Sequence, residues 1–403
     1  MAHMISPTDG KVGERLLDDW LTSYSDYTAD TESPSLFHFW VGTSVIASVL
    51  ARKCWINRGY YTLYPNLYVV LIGASARVRK TTAISIGYDV FRETMGEDVV
   101  IVSQKTTPEA IISLFVEGYK KNQVSGGVIV CDELGVFLGG QTKNMDLMQL
   151  LTKWYDCPKH FEYHTMMRGK EVMNNVYCNM VAGTTPQWLK DSMPPHAVGG
   201  GFTSRIIFVY QDKPEKLIPF PSLSPEVAAL KVKLIHDLQV ISKMSGEFKL
   251  TSKAKEWYEG WYTEVFKPET TPYMSLDGYY GRKHDSLLKI AMSLSASKSN
   301  SLVVDEIELQ MALRAMNKNE QFLPDTLRLI QMTDVGEGME KVHRVICRKG
   351  EDGIDFTQLS RQLSYCMNTK MLEEVIHDLV LGDRIVEFMK NGKRWFKVKG
   401  ERY

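Results

Sequence analysis

The stretch from Leu67 to Thr82 constrains this chain more than any other. Leu67-Tyr-Val-Val-Leu-Ile72 is an unbroken apolar run rich in branched residues, with the length and character of a strand buried on both faces. Beyond Thr82 the period changes, and Ile84, Tyr88, Phe91 and Met95 recur at helical spacing on one side. Between strand and helix lies a loop that opens with Gly73, Ala74 and Ser75 and closes with Arg79, Lys80, Thr81 and Thr82. A strand and helix joined this way turn backbone N–H groups and a helix N-terminus towards a phosphate. Lys80 then reaches the outer phosphate oxygens, and the Thr81 hydroxyl can ligate Mg²⁺. Set against the pattern G-x-x-x-x-G-K-[ST], the two glycine positions fall on Ala74 and Arg79, with Gly73 one residue early. Where such a loop needs positive φ these side chains are strained, so either the loop is one residue longer than the pattern or its path differs. Taken alone, the stretch is equally a structural turn with a chance Lys-Thr pair.

A second feature bears on that choice. Gly127-Val-Ile-Val-Cys-Asp132-Glu133 is an apolar run that delivers two adjacent carboxylates at its C-terminal end. Beside a phosphate loop, Asp132 would hold Mg²⁺ through water and Glu133 would orient or deprotonate the attacking water. The plain alternative is an acidic pair opening a helix. From Leu67 to about Tyr210, apolar runs alternate with helical patterns, which predicts an α/β fold with a parallel sheet covered on both faces. The predicted strands are 67–72, 99–103, 127–133, 179–184 and 204–210, with a hairpin at 161–176. Thr107-Pro108-Glu109 caps a helix running to about Lys120. Thr185 ends the fourth strand where a polar side chain could touch the γ-phosphate and the lytic water. Arg205 opens the last strand, placed either to reach a neighbouring subunit's nucleotide or to make a surface ion pair. Arg168 and Lys170 flank a glycine at the hairpin tip and are either a solvated turn or a basic probe into a channel.

Length and charge bound the rest. A chain of 403 residues holds two or three domains. With 48 basic and 48 acidic residues, no global field drives it onto nucleic acid, so any such contact comes from local patches. Six cysteines show no C-x-x-C or metal-ligand spacing and read as reduced thiols of a cytoplasmic protein. No run is read as a membrane span and the start does not resemble a signal peptide; Met-Ala-His-Met reads as a cloning scar before a native Met4. A helix is expected over 12–25. Ser33-Pro34 is expected to cap a second one, through about Arg52, with Ser33 as N-cap and Pro34 at N1. The aromatics between Trp55 and Tyr68 are core or lid contacts, with base stacking the alternative. Residues 226–332 read as helices only.

The last stretch is a separate unit. Three helical patterns, the third capped by Asn368 and stopped by Gly382, precede a hairpin turning at Asn391-Gly392. This is the winged-helix plan. Its third helix carries Glu373, Glu374 and Asp378, whereas Lys390, Lys393 and Arg394 crowd the hairpin turn, with Lys397 and Lys399 beyond. The hairpin, rather than the helix, is therefore expected to meet DNA phosphates. A protein–protein module with a solvated basic wing is the alternative.

Taken in order, Lys80-Thr81, Asp132-Glu133, a hairpin before Thr184-Thr185-Pro186, and Phe202-Thr-Ser-Arg205-Ile-Ile-Phe-Val resemble the AAA+ core of minichromosome-maintenance-like (MCM-like) helicases, particularly those carried by bacteriophages and mobile genetic elements. In that family the last loop glycine is often replaced. Leu-Tyr-Pro-Asn-Leu-Tyr before the loop, Thr107-Pro-Glu-Ala and Gly199-Gly-Gly-Phe-Thr-Ser-Arg205 are similar to the mobile-element group. Asp277-Gly-Tyr-Tyr-Gly-Arg282 resembles the helical lid whose arginine serves as sensor 2. The resemblance covers roughly residues 34–403 and implies an AAA+ P-loop NTPase core at 61–212, a helical lid at 213–335 and a winged-helix domain at 336–403; the helical N-terminal segment at 1–60 is read from its own pattern, and its first helix has no counterpart in the family. The resemblance also implies ATP and Mg²⁺, a homo-oligomeric ring, usually a hexamer, with ATP sites between subunits, and single-stranded or forked DNA in a channel lined by hairpins. Many members carry Asn where Thr185 stands. An ATP-dependent DNA helicase or replication-initiation ATPase is the expected function. A non-motor, nucleotide-dependent DNA-binding regulator or helicase loader is the alternative, and a metabolic P-loop kinase a third reading that the winged-helix plan disfavours.

Overall fold

A computed structural model of the chain describes residues 13–103, 105–139, 144–165, 169–192, 201–266, 277–322 and 334–399. The chain divides into two compact units, Met1–Ile330 and Gln331–Tyr403.

The first unit is mixed α/β. Helix α1 (Trp20–Tyr27) is shorter than the predicted one and begins where the Asp19 side chain accepts the Leu21 and Thr22 N–H groups. Helix α2 (Ser35–Leu50) is apolar nearly all round and buried along almost its whole length. Its N-cap is Pro34, with no side-chain cap, because the Ser33 hydroxyl is spent on the Arg79 carbonyl at 2.8 Å. Contrary to the sequence expectation, Ser35–Lys53 is long and apolar enough to cross a membrane by length and composition; 78% of that window is buried inside the fold, as in the core helix of a soluble protein.

Small strands β1 (Cys54–Asn57) and β2 (Thr62–Leu63) lead into β3 (Tyr68–Ile72), buried at every position. There follow α3 (Lys80–Met95), β4 (Val100–Val102), α4 (Pro108–Asn122), β5 (Gly126–Cys131), α5 (Leu134–Leu138) and α6 (Asn144–Tyr155). The hairpin β6 (His160–Thr165) and β7 (Gly169–Asn174) precedes β8 (Tyr177–Thr184), α7 (Pro186–Ser192) and β9 (Ile206–Tyr210). The Thr107 hydroxyl caps α4 by accepting the Ala110 N–H, as its sequence predicts. Five strands form one parallel sheet in the order β4-β5-β8-β3-β9. All connections between them carry helices, which is what parallel pairing demands. Because β8 lies between β5 and β3, the C-terminal ends of those three strands open on one common edge.

Further helices are α8 (Pro225–Ser242), α9 (Ser252–Gly260), α10 (Asp277–Lys298) and α11 (Glu306–Glu320). The 226–332 region is not helical throughout: β10 (Gly246–Glu247), β11 (Lys249–Leu250) and β12 (Val303–Val304) pair as two-residue bridges, too short to leave a periodic signature. One continuous apolar core joins α1, α2, the sheet and α8 to α11. Asn179 of β8 stitches it internally: its amide nitrogen donates to the Ser44 and Ser48 hydroxyls at 2.9 and 2.7 Å, and its oxygen accepts the Leu67 N–H at 2.7 Å.

The second unit contains α12 (Asp334–Cys347), β13 (Ile354–Asp355), α13 (Phe356–Leu363), α14 (Thr369–Leu381), β14 (Ile385–Lys390) and β15 (Lys393–Val398) around its own core. Asn368 caps α14, and Asn391 and Gly392 turn the β14–β15 hairpin with φ of 53° and 71°. Both central residues of a type I′ turn require positive φ, which is why Asn-Gly marks it in sequence. The sequence reading lacked β13, which pairs with β15 to make a three-stranded sheet.

Candidate functional site

Gly73 leaves β3 where no side chain fits: a Cβ there would press on Val78 and the Gln211 carbonyl. The loop then runs exposed through Ala74, Ser75, Ala76 and Arg77, plugs back into the core with Val78, and enters α3 at Lys80. Of the two positions where the motif has glycine, Arg79 takes left-handed backbone, with φ 49°, and the second positive value in the loop falls on Ala76, φ 56°, not on Ala74. The path therefore differs from the pattern as the shifted glycine suggested. Arg79 is held in that conformation from both ends: its guanidinium pairs with Glu32 at 2.9 Å and its carbonyl accepts from Ser33. No side chain caps α3. Its first-turn N–H groups face the loop, and the Thr81 and Thr82 side chains are exposed beside them.

Lys80 is buried to 8% exposure and curls into the loop, donating to the Gly73 carbonyl at 2.7 Å and the Ala74 carbonyl at 3.3 Å. Burial lowers its pKa and the nearby Glu133 charge pushes it back up. Glu133 itself, half-buried just past β5, has its pKa raised by desolvation. The hydrogen bond from Thr184, the Gly135 N–H and the Lys80 charge oppose that rise. Asp132 beside it is exposed.

Sheet register explains the convergence. Ile72 of β3 lies opposite Thr184 of β8, and Cys131 of β5 opposite Ala182. A Cβ on Gly183 would sit 2.7 Å from the Asp132 carbonyl oxygen, so a glycine there lets the two strand ends close up. The Thr184 hydroxyl then donates to Glu133 Oε1 at 2.6 Å. Thr184, not the neighbouring Thr185, is the threonine that touches the carboxylate. The Thr185 hydroxyl accepts the Trp188 N–H at 3.2 Å and so caps α7. Alternation could have shown this: consecutive residues at a strand end point to opposite sides, and only one of the pair faces Glu133.

Arg205 and Arg282 lie elsewhere. Arg205 ends a 3₁₀ turn, Thr203–Arg205, before β9, whose first residue, Ile206, pairs with Tyr68 at the start of β3. It is therefore at the N-terminal edge of the sheet, a strand length of about 16 Å from the loop. Its side chain is only 6% exposed and pairs with Asp156 at 2.7 Å, and its guanidinium also donates to the Gly201 carbonyl. Arg282, with 37% of its side chain exposed, reaches the other oxygen of Asp156 at 3.5 Å. Asp156, which no sequence pattern flagged, thus joins the two arginines.

The cations proposed to meet DNA are unevenly free. Arg168 lies outside the described residues. Lys170 pairs with Glu162 at 2.6 Å. In the second unit Arg394 is clamped by Glu387 at 2.6 Å and Glu373 at 2.8 Å, Lys399 pairs with Asp383, and Lys397 lies 3.8 Å from Glu351. Lys390 sits 4.9 Å from the Trp395 ring centre, and Lys390 and Lys393 are both exposed at the hairpin tip. Among the described residues no cluster of His, Cys, Asp and Glu forms a ready metal cage. The chain matches no protein-family model, and no curated protein matches it.

Proposed function

We propose that this chain is an ATP-dependent DNA helicase or replication-initiation ATPase of the MCM-like AAA+ kind, acting as a ring of identical subunits. The observation that carries the reading is the meeting of Lys80, Glu133 and Thr184 where β3, β5 and β8 end side by side. In open α/β sheets, ligands bind at the carboxyl ends of strands where the connections diverge, and β3 stands at such a point, between β8 and β9.

The residues present fit a nucleotide triphosphate with Mg²⁺. The α3 N-terminus and the loop N–H groups take the phosphates, and Lys80 exchanges its own loop carbonyls for phosphate oxygens. Thr81 and Asp132, both exposed on that edge, would hold Mg²⁺, which neutralises charge developing on the phosphates. Glu133 orients the attacking water and receives its proton; Thr184 fixes the orientation of the carboxylate. Arg205 and Arg282 cannot serve the nucleotide of their own subunit from the opposite edge of the sheet. Arg282, the more exposed of the two, would serve one bound to the next copy in a head-to-tail assembly, with Arg205 holding Asp156 behind it, and such an assembly closes into a ring when the rotation allows. The three helices and hairpin of the second unit support a winged-helix reading, with Lys390 and Lys393 as its DNA contacts.

One observation favours the regulator reading. Arg79 stands where the loop needs left-handed backbone and is tied to Glu32, which stiffens the cradle and favours holding nucleotide over turning it over. ATP hydrolysis, measured with and without single-stranded DNA, separates the two: a motor turns ATP over and DNA stimulates it, whereas a regulator binds ATP with no DNA-stimulated turnover.

A further inference from the structure

Lys289 lies on α10 with 3% of its surface exposed. Its ammonium donates to Asn66 Oδ1 at 2.8 Å and sits 3.7 Å from the centre of the Tyr155 ring. Among the described residues it makes no ion pair and has no second hydrogen-bond acceptor. An ammonium has three N–H donors, and a buried charge whose counter-charge is missing from the protein is costly. Lys289 also lines a cavity of about 290 Å³, together with Arg282, Ser286, Asp156 and Asp285.

The two carboxylates do not supply the missing charge. Asp156 is already shared by Arg205 and Arg282, and Asp285 accepts from the Tyr61 hydroxyl at 3.0 Å and lies 3.4 Å from His284. Arg282, Ser286 and Lys289 are spaced four and three residues apart, so one face of α10 presents a guanidinium, a hydroxyl and an ammonium in line. Asn66, Tyr155 and Asp156 place the cavity at the N-terminal edge of the sheet, away from Lys80.

We propose that this cavity binds a phosphate group in the unassembled chain, where Arg282 has no neighbouring nucleotide to serve, with Lys289 and Arg282 supplying the charge and Ser286 a donor hydroxyl. A phosphate has enough acceptor oxygens to take all three at once and carries the charge that Lys289 lacks.

The test uses the full chain carrying Lys80→Ala, which removes the other phosphate site. Inorganic phosphate and, separately, ADP are titrated calorimetrically against chloride of matched ionic strength. Saturable binding is expected, weakened about tenfold or more by adding Lys289→Met, as loss of one charge-assisted hydrogen bond implies. Arg282→Gln, at an exposed side chain, should weaken it too and decides the matter if Lys289→Met does not fold. Tighter binding of ADP than of inorganic phosphate would make the ligand a nucleotide-borne phosphate; equal or weaker binding would make it free phosphate. No saturable binding to the Lys80→Ala chain, or binding indifferent to both further substitutions, overturns the proposal.

Discussion

At the scale of single residues, the hydrogen bond from Thr184 to Glu133 joins the pair on which turnover would depend in the proposed reaction. A carboxylate that must accept a proton works only when ionised, and burial raises the pKa of Glu133. The acid limb of the kcat/KM profile is therefore expected above the ordinary carboxylate range, with rate rising as pH rises through it. The Thr184 hydrogen bond favours the charged form. Thr184→Val should thus move that limb to still higher pH, and a limb that stays put or moves down would contradict the assignment. The places of Lys80, Asp132 and Glu133 beyond the ends of β3 and β5 were legible because the apolar runs before them mark the strands. Thr184 was not separated from Thr185, since a register is needed to say which hydroxyl faces the carboxylate. Asp156 and Lys289 were invisible, because what marks them is a partner distant in sequence.

Among the elements, those with a strong period or a capping residue were read correctly. Such were the buried strands β3 and β8, the Thr107-capped α4 and the Asn391-Gly392 hairpin. Two-residue strands escaped, as did the diversion of the Ser33 hydroxyl from its expected cap to Arg79, which is a tertiary contact. Helix α2 is bound to the sheet through Asn179, whose side chain has no exposure and bonds to both. Asn179→Ala should cost about 3 kcal/mol, since it leaves several buried polar groups unmatched. A urea midpoint unchanged by the substitution would show that the stitch contributes nothing. In the second unit, Arg394 is engaged by two glutamates, so the salt dependence of the proposed DNA binding should rest on the hairpin tip. Lys390→Ala with Lys393→Ala in the full chain should reduce the log–log slope on duplex DNA by about two. Arg394→Ala should change it by much less, and the reverse ranking would move the DNA contact away from the tip.

At the scale of the sheet, the residues of the proposed site are split between its two edges. The loop and carboxylates occupy one edge; Asp156 with its two arginines occupies the other. Arg282 is the more exposed of the pair, and Arg205 is positioned behind Asp156. Mixing Arg282→Ala subunits with wild-type chain should therefore depress ATPase activity faster than the mutant fraction rises, whereas a linear decline would mean that each subunit works alone. The split was legible in sequence, because the loop and carboxylates follow strands whereas Arg205 precedes one; the partnership through Asp156 was not, because it is a contact between residues distant in sequence.

The most direct measurement compares Mg-ATP binding and hydrolysis by the wild-type, Lys80→Ala and Glu133→Gln chains with single-stranded DNA present. Wild-type chain is predicted to bind and hydrolyse, Glu133→Gln to bind with turnover reduced by about a hundredfold or more, and Lys80→Ala to lose binding. Hydrolysis by both variants at the wild-type rate would contradict the assignment of the site.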